Sequence, residues 1–164
     1  MSAPSQPPRI LVLATGGTIA GQAGDAMRAD YRPGQVGIEA YLEQASGLGV
    51  AAQFTGRQIA NIGSEDIDAS IWSRLHAEIE LAMRDDELDA VVVTHGTDTA
   101  EETAFLLDLT LPSTKPVVLV GAMRPTDAVG YDGMRNFANA VRVAGDPDAA
   151  GRGVLVVMGD RVHS

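Results

Sequence analysis

Cysteine is absent from the 164-residue sequence. Its absence excludes structural disulfides, iron–sulfur clusters and thiolate chemistry, although it does not identify the cellular compartment. Basic residues are also few, because 12 Lys and Arg stand against 22 Asp and Glu, for a formal net charge of −10. Such a charge repels phosphates at long range and argues against a nucleic-acid or anionic-membrane partner. No apolar run approaches the roughly 20 residues that a membrane-spanning helix needs.

The length suits one compact domain with a hydrophobic core and is too short for two. Residues 1–8 are rich in Pro and Ser, and we expect them to form a disordered tail before a single domain over residues 9–164. The tail lacks the charged and apolar regions of a secretory signal. As written, the sequence therefore indicates a cytoplasmic protein, whereas a periplasmic location would require that a signal had been removed.

Short continuous apolar runs alternate with segments of helical periodicity. The runs, typical of buried parallel strands, are Arg9–Ala14, Val91–Val93, Pro116–Val120 and Val154–Met158, with a further strand expected within Val50–Ile62. Helices are predicted at Ile38–Ala45, Asp68–Arg84, Ala100–Leu109 and Met134–Ala144. The alternation predicts one α/β domain with a doubly wound, mostly parallel sheet and helices on both faces.

Three of these strands run into polar, glycine-containing loops, which are Thr15–Thr18, Thr94–Thr99 and Gly121–Arg124. Ligands of open α/β sheets bind outside the carboxyl ends of the strands. We therefore expect the three loops to meet in one crevice. The segment 21–37, rich in Gly, Asp and Ala, is expected to be a surface loop.

The first loop admits two interpretations. Its paired glycines make a tight exit turn, or they hinge a mobile loop whose Thr18 hydroxyl attacks a substrate. A nucleotide-binding loop is disfavoured, since the segment contains neither G-x-G-x-x-G nor the Lys of a Walker motif.

The second loop also has an ordinary explanation. Asp98 with Glu101, or Thr99 with Glu102, matches a helix capping box. The functional alternative is that a hydroxyl beside a carboxylate at a strand end holds a substrate ammonium and orients a water.

A third polar segment, Asn61–Asp66, precedes the longest predicted helix. It either supplies free N–H groups that bind a carboxylate or contributes to a helix cap by Ser64, Asp66 or Asp68. Elsewhere, a serine-hydrolase elbow is absent. The three histidines, His76, His95 and His163, lack metal-ligand spacing. Three aromatic residues are expected to be packing residues: Phe54, Trp72 and Phe105.

The combination of segments is more specific than any one loop. Leu13–Ala20 and Thr94–Thr99 resemble the two signature motifs of the bacterial-type L-asparaginases. The segments Asn61–Asp66, Lys115–Pro125 and Arg152–Met158 follow in the order and spacing of that family. The chain thus resembles the amino-terminal domain of an asparaginase/glutaminase.

The resemblance implies a cofactor-free amidohydrolase that converts L-asparagine to L-aspartate and ammonia, sometimes with L-glutamine as a second substrate. It implies that Thr18 is the nucleophile and that Tyr31 assists its deprotonation. Thr97 and Asp98 would belong to a second hydroxyl–carboxylate–amine cluster, in which Asp98 binds the substrate's α-ammonium.

The residues that the resemblance assigns to substrate binding are Gly63, Ser64, Glu65, Gly96 and Ala122. Ser64 and neighbouring backbone would bind the α-carboxylate, and Glu65 would lie near the α-amino group. The Ala122 carbonyl would contact the amide nitrogen. No metal site is implied.

The sequence also departs from the family. Members are about twice as long, with a smaller carboxy-terminal domain, and their catalytic lysine lies just beyond the position of Ser164. Lys115, the only lysine here, precedes a strand and is expected at the wrong end of the sheet. The alternatives are therefore a non-catalytic amino-acid-binding domain or an inert remnant, and a related amidotransferase subunit. The family implies a homo-oligomer, a tetramer at full length.

Overall fold

The computed structural model describes residues 6–22, 36–112 and 114–164. The strands of these ranges are β1 (Arg9–Gly16), β2 (Gln53–Ile62), β3 (Ala90–Thr94), β4 (Val117–Val120), β5 (Val154–Met158) and β6 (Arg161–His163). The α-helices are α1 (Ile38–Ser46), α2 (Ala69–Arg84), α3 (Ala100–Thr110) and α4 (Gly133–Ala144). Short 3₁₀ turns lie at Thr18–Ala20, Ser64–Asp66 and Pro147–Ala149.

The strands form one sheet in the order β2-β1-β3-β4-β5-β6. Neighbours from β2 to β5 are parallel, and β6 pairs antiparallel with β5 at the edge. This confirms the predicted α/β fold with a mostly parallel sheet.

The short strand β6 was not predicted from the sequence. It is joined to β5 by Gly159 and Asp160, whose φ angles are 55° and 63°. A two-residue hairpin turn of type I′ requires positive φ at both of its central residues. The Gly-Asp pair was therefore a usable signal, but three exposed residues give no apolar run.

Alternate residues of the central strands face opposite sides of the sheet. In β3, Ala90 and Val92 pack with the residues of α1 and α4, whereas Val91 and Val93 pack with those of α2 and α3. The side chains of β3 are all buried. Because both faces are covered, the strands read as continuous apolar runs rather than as alternating patterns.

The helix boundaries agree with the prediction to within one residue. Asp68 caps α2 as one of the predicted candidates, since its carboxylate accepts hydrogen bonds of 2.9 Å from the amides of Ser70 and Ile71. The hydroxyl of Ser70 and the amide of Ile71 lower the pKa of Asp68. Within the described ranges, no helix is both long and apolar enough to cross a bilayer.

One packing prediction is wrong. Phe105 is 66% exposed, although it was expected to be a packing residue. The residues of α3 that face the core are Thr103, Ala104 and Leu107. Phe105 lies on the other side of the helix and therefore faces solvent. Phe54 is half-buried and lies 5.8 Å from the ring of Phe137, as expected.

Candidate active site

The chain leaves β1 through two glycines. The amide of Gly17 donates to the Ile62 carbonyl at 2.8 Å, so the exit of β1 is tied to the end of β2. Gly17 has φ 77° and ψ −176°, a region that is essentially restricted to glycine. Thr18 then begins the 3₁₀ turn that the Gly21 amide closes on the Thr18 carbonyl at 2.9 Å. Thr18 is 6% exposed, so the predicted nucleophile lies in a largely buried turn.

Backbone contacts bring the loop after β3 against this turn. A Cβ on Gly17 would overlap the backbone of His95 and Gly96, and a Cβ on Gly96 would overlap the side chain of Ser64. The segments that contain Thr18, Gly96 and Ser64 are therefore in direct contact. Only residues without a side chain permit this approach.

Hydrogen bonds join the second and third polar segments. The Ser64 hydroxyl accepts from the Asp98 amide at 3.1 Å, and the Ser64 carbonyl accepts from the Thr99 hydroxyl at 3.0 Å. Thr99 is the N-cap residue of α3, but its side chain makes no capping hydrogen bond. The capping box of Thr99 with Glu102, one of the interpretations of this loop, is thus not formed, because the Thr99 hydroxyl is used between loops instead.

The loop after β4 completes the convergence. A Cβ on Gly121 would come within 3.1 Å of the Thr97 methyl carbon, so Thr97 packs against the residue before Ala122. Ala122 is fully buried, whereas Thr97 is half-buried and Asp98 is exposed. The carboxylate of Glu65 occupies the space beside the Cα of Gly63.

The loops after β1, β3 and β4 and the segment after β2 therefore meet at the carboxyl end of the sheet, as predicted. We call this region the crevice and define it by the turn Thr18–Ala20 and by Ser64, Gly96, Thr97 and Gly121. Tyr31 and most of the segment 21–37 lie outside the described residues. Lys115 lies at the other end of the sheet, where its ammonium donates to the Ala82 and Asp85 carbonyls.

Behind the crevice, the side chains of Trp72, Thr103 and His95 form a chain of hydrogen bonds, which we call the buried relay. Sequence reasoning missed it. The Trp72 indole N–H donates to the Thr103 hydroxyl at 2.8 Å, and Thr103 lies 3.0 Å from Nε2 of His95. The other ring nitrogen of His95 lies 2.7 Å from the Gly96 carbonyl. That carbonyl can only accept, so Nδ1 carries the proton and Thr103 donates to Nε2.

Burial lowers the pKa of His95, and the Gly96 carbonyl and Glu102 partly oppose this effect. The neutral imidazole is therefore favoured in the folded chain. The relay runs from α2 through α3 to the backbone of the crevice. His95 is part of the recognised motif, but nothing in the sequence pairs it with Thr103 or Trp72.

The loop from Gly121 to Asp132, which we call the bracing loop, begins with the predicted segment Gly121–Arg124, but its remainder up to Asp132 was missed as a site element. Its Tyr131 hydroxyl donates to the Ile19 carbonyl at 2.7 Å. The Asp132 carboxylate accepts from the amides of Met123 and Arg124 at 3.1 and 3.0 Å. The bracing loop thus contacts the turn that begins at Thr18.

Residues 9–164 match the family model described as asparaginase, N-terminal. The chain is 48% identical over 158 residues to L-asparaginase 2 of Bacillus subtilis (strain 168), which covers 96% of this chain and 42% of that protein. It is 43% identical over 156 residues to a glutaminase-asparaginase of Pseudomonas fluorescens biotype A, which covers 94% of this chain and 43% of that protein.

A solved structure gives the same result at the level of the fold. A probable cytoplasmic L-asparaginase from Campylobacter jejuni matches with a TM-score of 0.91 and 42% sequence identity, covering 96% of this chain and 48% of that chain. The chain therefore spans about half the length of the proteins that it resembles, or slightly less.

Proposed function

The chain belongs to the asparaginase family and corresponds to its amino-terminal domain, and from this premise we propose that it carries the nucleophile side of an amidohydrolase site. The proposed reaction is hydrolysis of L-asparagine to L-aspartate and ammonia, with L-glutamine as a second substrate. The observation that carries the proposal is the contact between the turn of Thr18 and the loop of Thr97 and Asp98, made through Gly17 and Gly96.

Thr18 is proposed as the nucleophile. A threonine hydroxyl is a weak nucleophile at neutral pH, so it needs a base and a site that stabilises the developing oxyanion. Thr18 begins a buried turn at the carboxyl end of β1, where it is held close to the loop after β3. Tyr31 is proposed to assist its deprotonation and Thr97 to polarise it or a water.

A zwitterionic substrate suits the polar groups around Ser64. Asp98 is exposed at the start of α3, and its carboxylate is proposed to bind the substrate's α-ammonium. Ser64 is proposed to bind the α-carboxylate together with the backbone of Gly63 and Gly96. Its hydroxyl already accepts a hydrogen bond from the Asp98 amide. The α-carboxylate and the α-ammonium of the substrate would therefore be bound side by side.

The remaining proposed contacts are Glu65 near the α-amino group and the Ala122 carbonyl at the amide nitrogen. The leaving nitrogen would thus face the bracing loop, on the opposite side from Ser64. No cofactor or metal is proposed. A cytoplasmic location is proposed, with a periplasmic one as the alternative, because the names of similar proteins include both. A homo-oligomeric state is likewise proposed.

The position of Lys115 favours a second candidate. Its ammonium is engaged at the C-terminal end of α2, so no lysine of this sequence reaches the crevice. Activation of Thr18 would then depend on other groups or on residues outside the 164. Without such a group, the chain would bind an amino acid and not turn it over.

The test is ammonia release from L-asparagine and L-glutamine by this chain, paired with L-aspartate binding by calorimetry. Thr18→Ala should abolish release and keep binding, whereas Thr18→Ser, which keeps a hydroxyl, should retain part of the turnover. Asp98→Asn should weaken binding. Binding without turnover in the wild type would favour the second candidate, and undiminished turnover in Thr18→Ala would refute the first. A chain that neither binds nor turns over would contradict both.

A further inference from the structure

The bracing loop holds the turn of Thr18 at two carbonyl groups. Tyr131 donates to the Ile19 carbonyl at 2.7 Å. Thr126 donates to the Gly21 carbonyl at 2.9 Å from its amide and at 2.9 Å from its hydroxyl. The turn is thus fastened at its middle residue and directly after its last one.

The bracing loop is itself fixed at both ends, which makes it a suitable support. Asp132 binds the amides of Met123 and Arg124 across the loop. The Asn136 side chain donates to the Asp132 carboxylate and to the Gly121 carbonyl, each at 3.0 Å. These hydrogen bonds join the first residues of the bracing loop to its last residue. The backbone that carries Tyr131 is therefore held in place at both ends.

The ring of Tyr131 is fixed as well as its hydroxyl. It lies against Gly133, where a Cβ would overlap the ring. The side chain is half-buried, and burial is the main reason that its pKa is raised. The phenol therefore stays protonated and keeps donating to Ile19 across the neutral range.

We propose that Tyr131 is a positioning residue of the crevice, whose hydroxyl holds the turn that presents Thr18. The proposal rests on the proposed function, in which Thr18 is the nucleophile and the Ala122 carbonyl contacts the leaving nitrogen. Ala122 also belongs to the bracing loop. This one loop would therefore set the distance between the attacking hydroxyl of Thr18 and the leaving nitrogen of the substrate. Small displacements of a catalytic group, of about 1 Å, cost on the order of 100-fold in rate.

A second tyrosine in the same region provides a matched control. Tyr41 is 2% exposed and its ring packs edge-on against Phe137, with centroids 5.2 Å apart. Burial, followed by the neighbouring Tyr131, raises the pKa of Tyr41, and within the part of the chain that the structure describes the Tyr41 hydroxyl makes no hydrogen bond to the turn. Tyr41→Phe and Tyr131→Phe therefore remove the same atom, but only the second removes a bond to the turn.

The first experiment does not depend on catalytic activity of the chain. Amide hydrogen exchange of the 164-residue chain is followed by NMR at Ala20 and Gly21, whose amides close the turn on Gly17 and Thr18. We expect Tyr131→Phe to speed exchange at both amides by about tenfold or more, while amides of β1 such as Leu13 keep their rates. Tyr41→Phe should leave Ala20 and Gly21 unchanged. Unchanged exchange in Tyr131→Phe, or an equal rise at Leu13, would overturn the proposal.

The second experiment separates positioning from substrate binding. With L-asparagine, Tyr131→Phe should lower kcat about tenfold and leave KM unchanged, because the hydroxyl of Tyr131 is bonded to the Ile19 carbonyl and not to Ser64 or Asp98, which are proposed to bind the amino acid. A raised KM with unchanged kcat would overturn the positioning role. If the wild-type chain released no ammonia, the proposed function would fail for this chain, and the exchange rates at Ala20 and Gly21 would still decide the role of Tyr131.

Discussion

Gly17 and Gly96 are packed backbone to backbone, at the point where the loops after β1 and β3 meet. A Cβ on Gly17 would overlap the backbone of Gly96. Backbone atoms, unlike the end of a flexible side chain, cannot move aside without shifting a whole loop. This contact therefore fixes how closely the loop that carries Thr18 approaches the loop that carries Thr97.

Gly17→Ala should be strongly destabilising, for two reasons. The residue has a positive φ of 77°, and the new methyl group has no space. Strain and overpacking each cost about 1–3 kcal/mol, so a loss of roughly 4 kcal/mol in the free energy of unfolding is expected in urea titrations.

Gly151→Ala is the control for Gly17→Ala. Gly151 has φ 75°, and among the described residues no atom beyond its chain neighbours lies within 4 Å of the position that its Cβ would take. This variant should therefore lose only about 1–2 kcal/mol. Equal losses in the two variants would contradict the importance of the contact between Gly17 and Gly96.

Thr103→Val should reveal the value of the buried relay. The change keeps the shape of the side chain but leaves the Trp72 indole and Nε2 of His95 without their partner. A buried polar group left unsatisfied costs about 1–3 kcal/mol, so the free energy of unfolding should fall by about 2–3 kcal/mol. Trp72 is the only tryptophan, and its fluorescence follows the transition.

Thr110→Val on the same helix is the matched control for Thr103→Val. Thr110 is exposed, and its hydroxyl donates to the Leu106 carbonyl within α3 at 2.7 Å. Its substitution should change the free energy of unfolding by no more than about 0.5 kcal/mol. A similar loss in both variants would show that the relay adds nothing to stability.

His95 should make the chain less stable in mild acid. Burial lowers its folded-state pKa below the ordinary value of 6.5. Between the two pKa values the unfolded chain binds the extra proton, so the free energy of unfolding rises with pH through this window and is lost as pH falls. A single group contributes a slope of at most about 1.4 kcal/mol per pH unit.

The measurement for His95 is urea unfolding at several pH values between about 4.5 and 7.5. Other groups also contribute to the slope, so the difference between variants is decisive. His95→Gln should flatten the pH dependence below about pH 6.5. A wild-type slope in His95→Gln would refute the assignment.

The exposed apolar side chains of α3 should cause self-association. Phe105 and Leu109 are 66% and 67% exposed and lie one turn apart on the same helical face. Exposed apolar patches favour association, so light scattering at high concentration should detect species larger than a monomer. Replacing both residues by Ser should reduce the association without lowering the free energy of unfolding, because neither residue is buried. Leu81→Ser, a single exposed site on α2, is the control, and a monomeric wild type would contradict the prediction.

Much of the fold could be predicted because its signals are local. The runs at β1, β3, β4 and β5 are buried on both faces of the sheet, so each is continuous and easily recognised. The regular alternation with helices then determined the parallel topology. β6 escaped because its three residues are exposed. Phe105 was misplaced because a helix of mostly apolar residues does not show by itself which face is buried.

The meeting of the loops could be predicted, but the partners of their side chains could not. The crevice follows from topology, since parallel strands end at the same edge. The hydroxyl of Thr99 had an equally good local use as a helix cap, and only the position of Ser64 decides between the two. Tyr131 and Ile19 are 112 residues apart, so no local pattern pairs them.

The strand order has a consequence for the synthesis of the chain. β1 is made first but lies inside the sheet, where it pairs with β2 from residue 53 and with β3 from residue 90. Nascent chains emerge in order, so the apolar run of β1 exists for a long interval without its inner neighbour. Non-local parallel pairing is slow and leaves strand edges open to aggregation. The apolar strand that later supports the crevice therefore needs protection on the ribosome until β3 has been made.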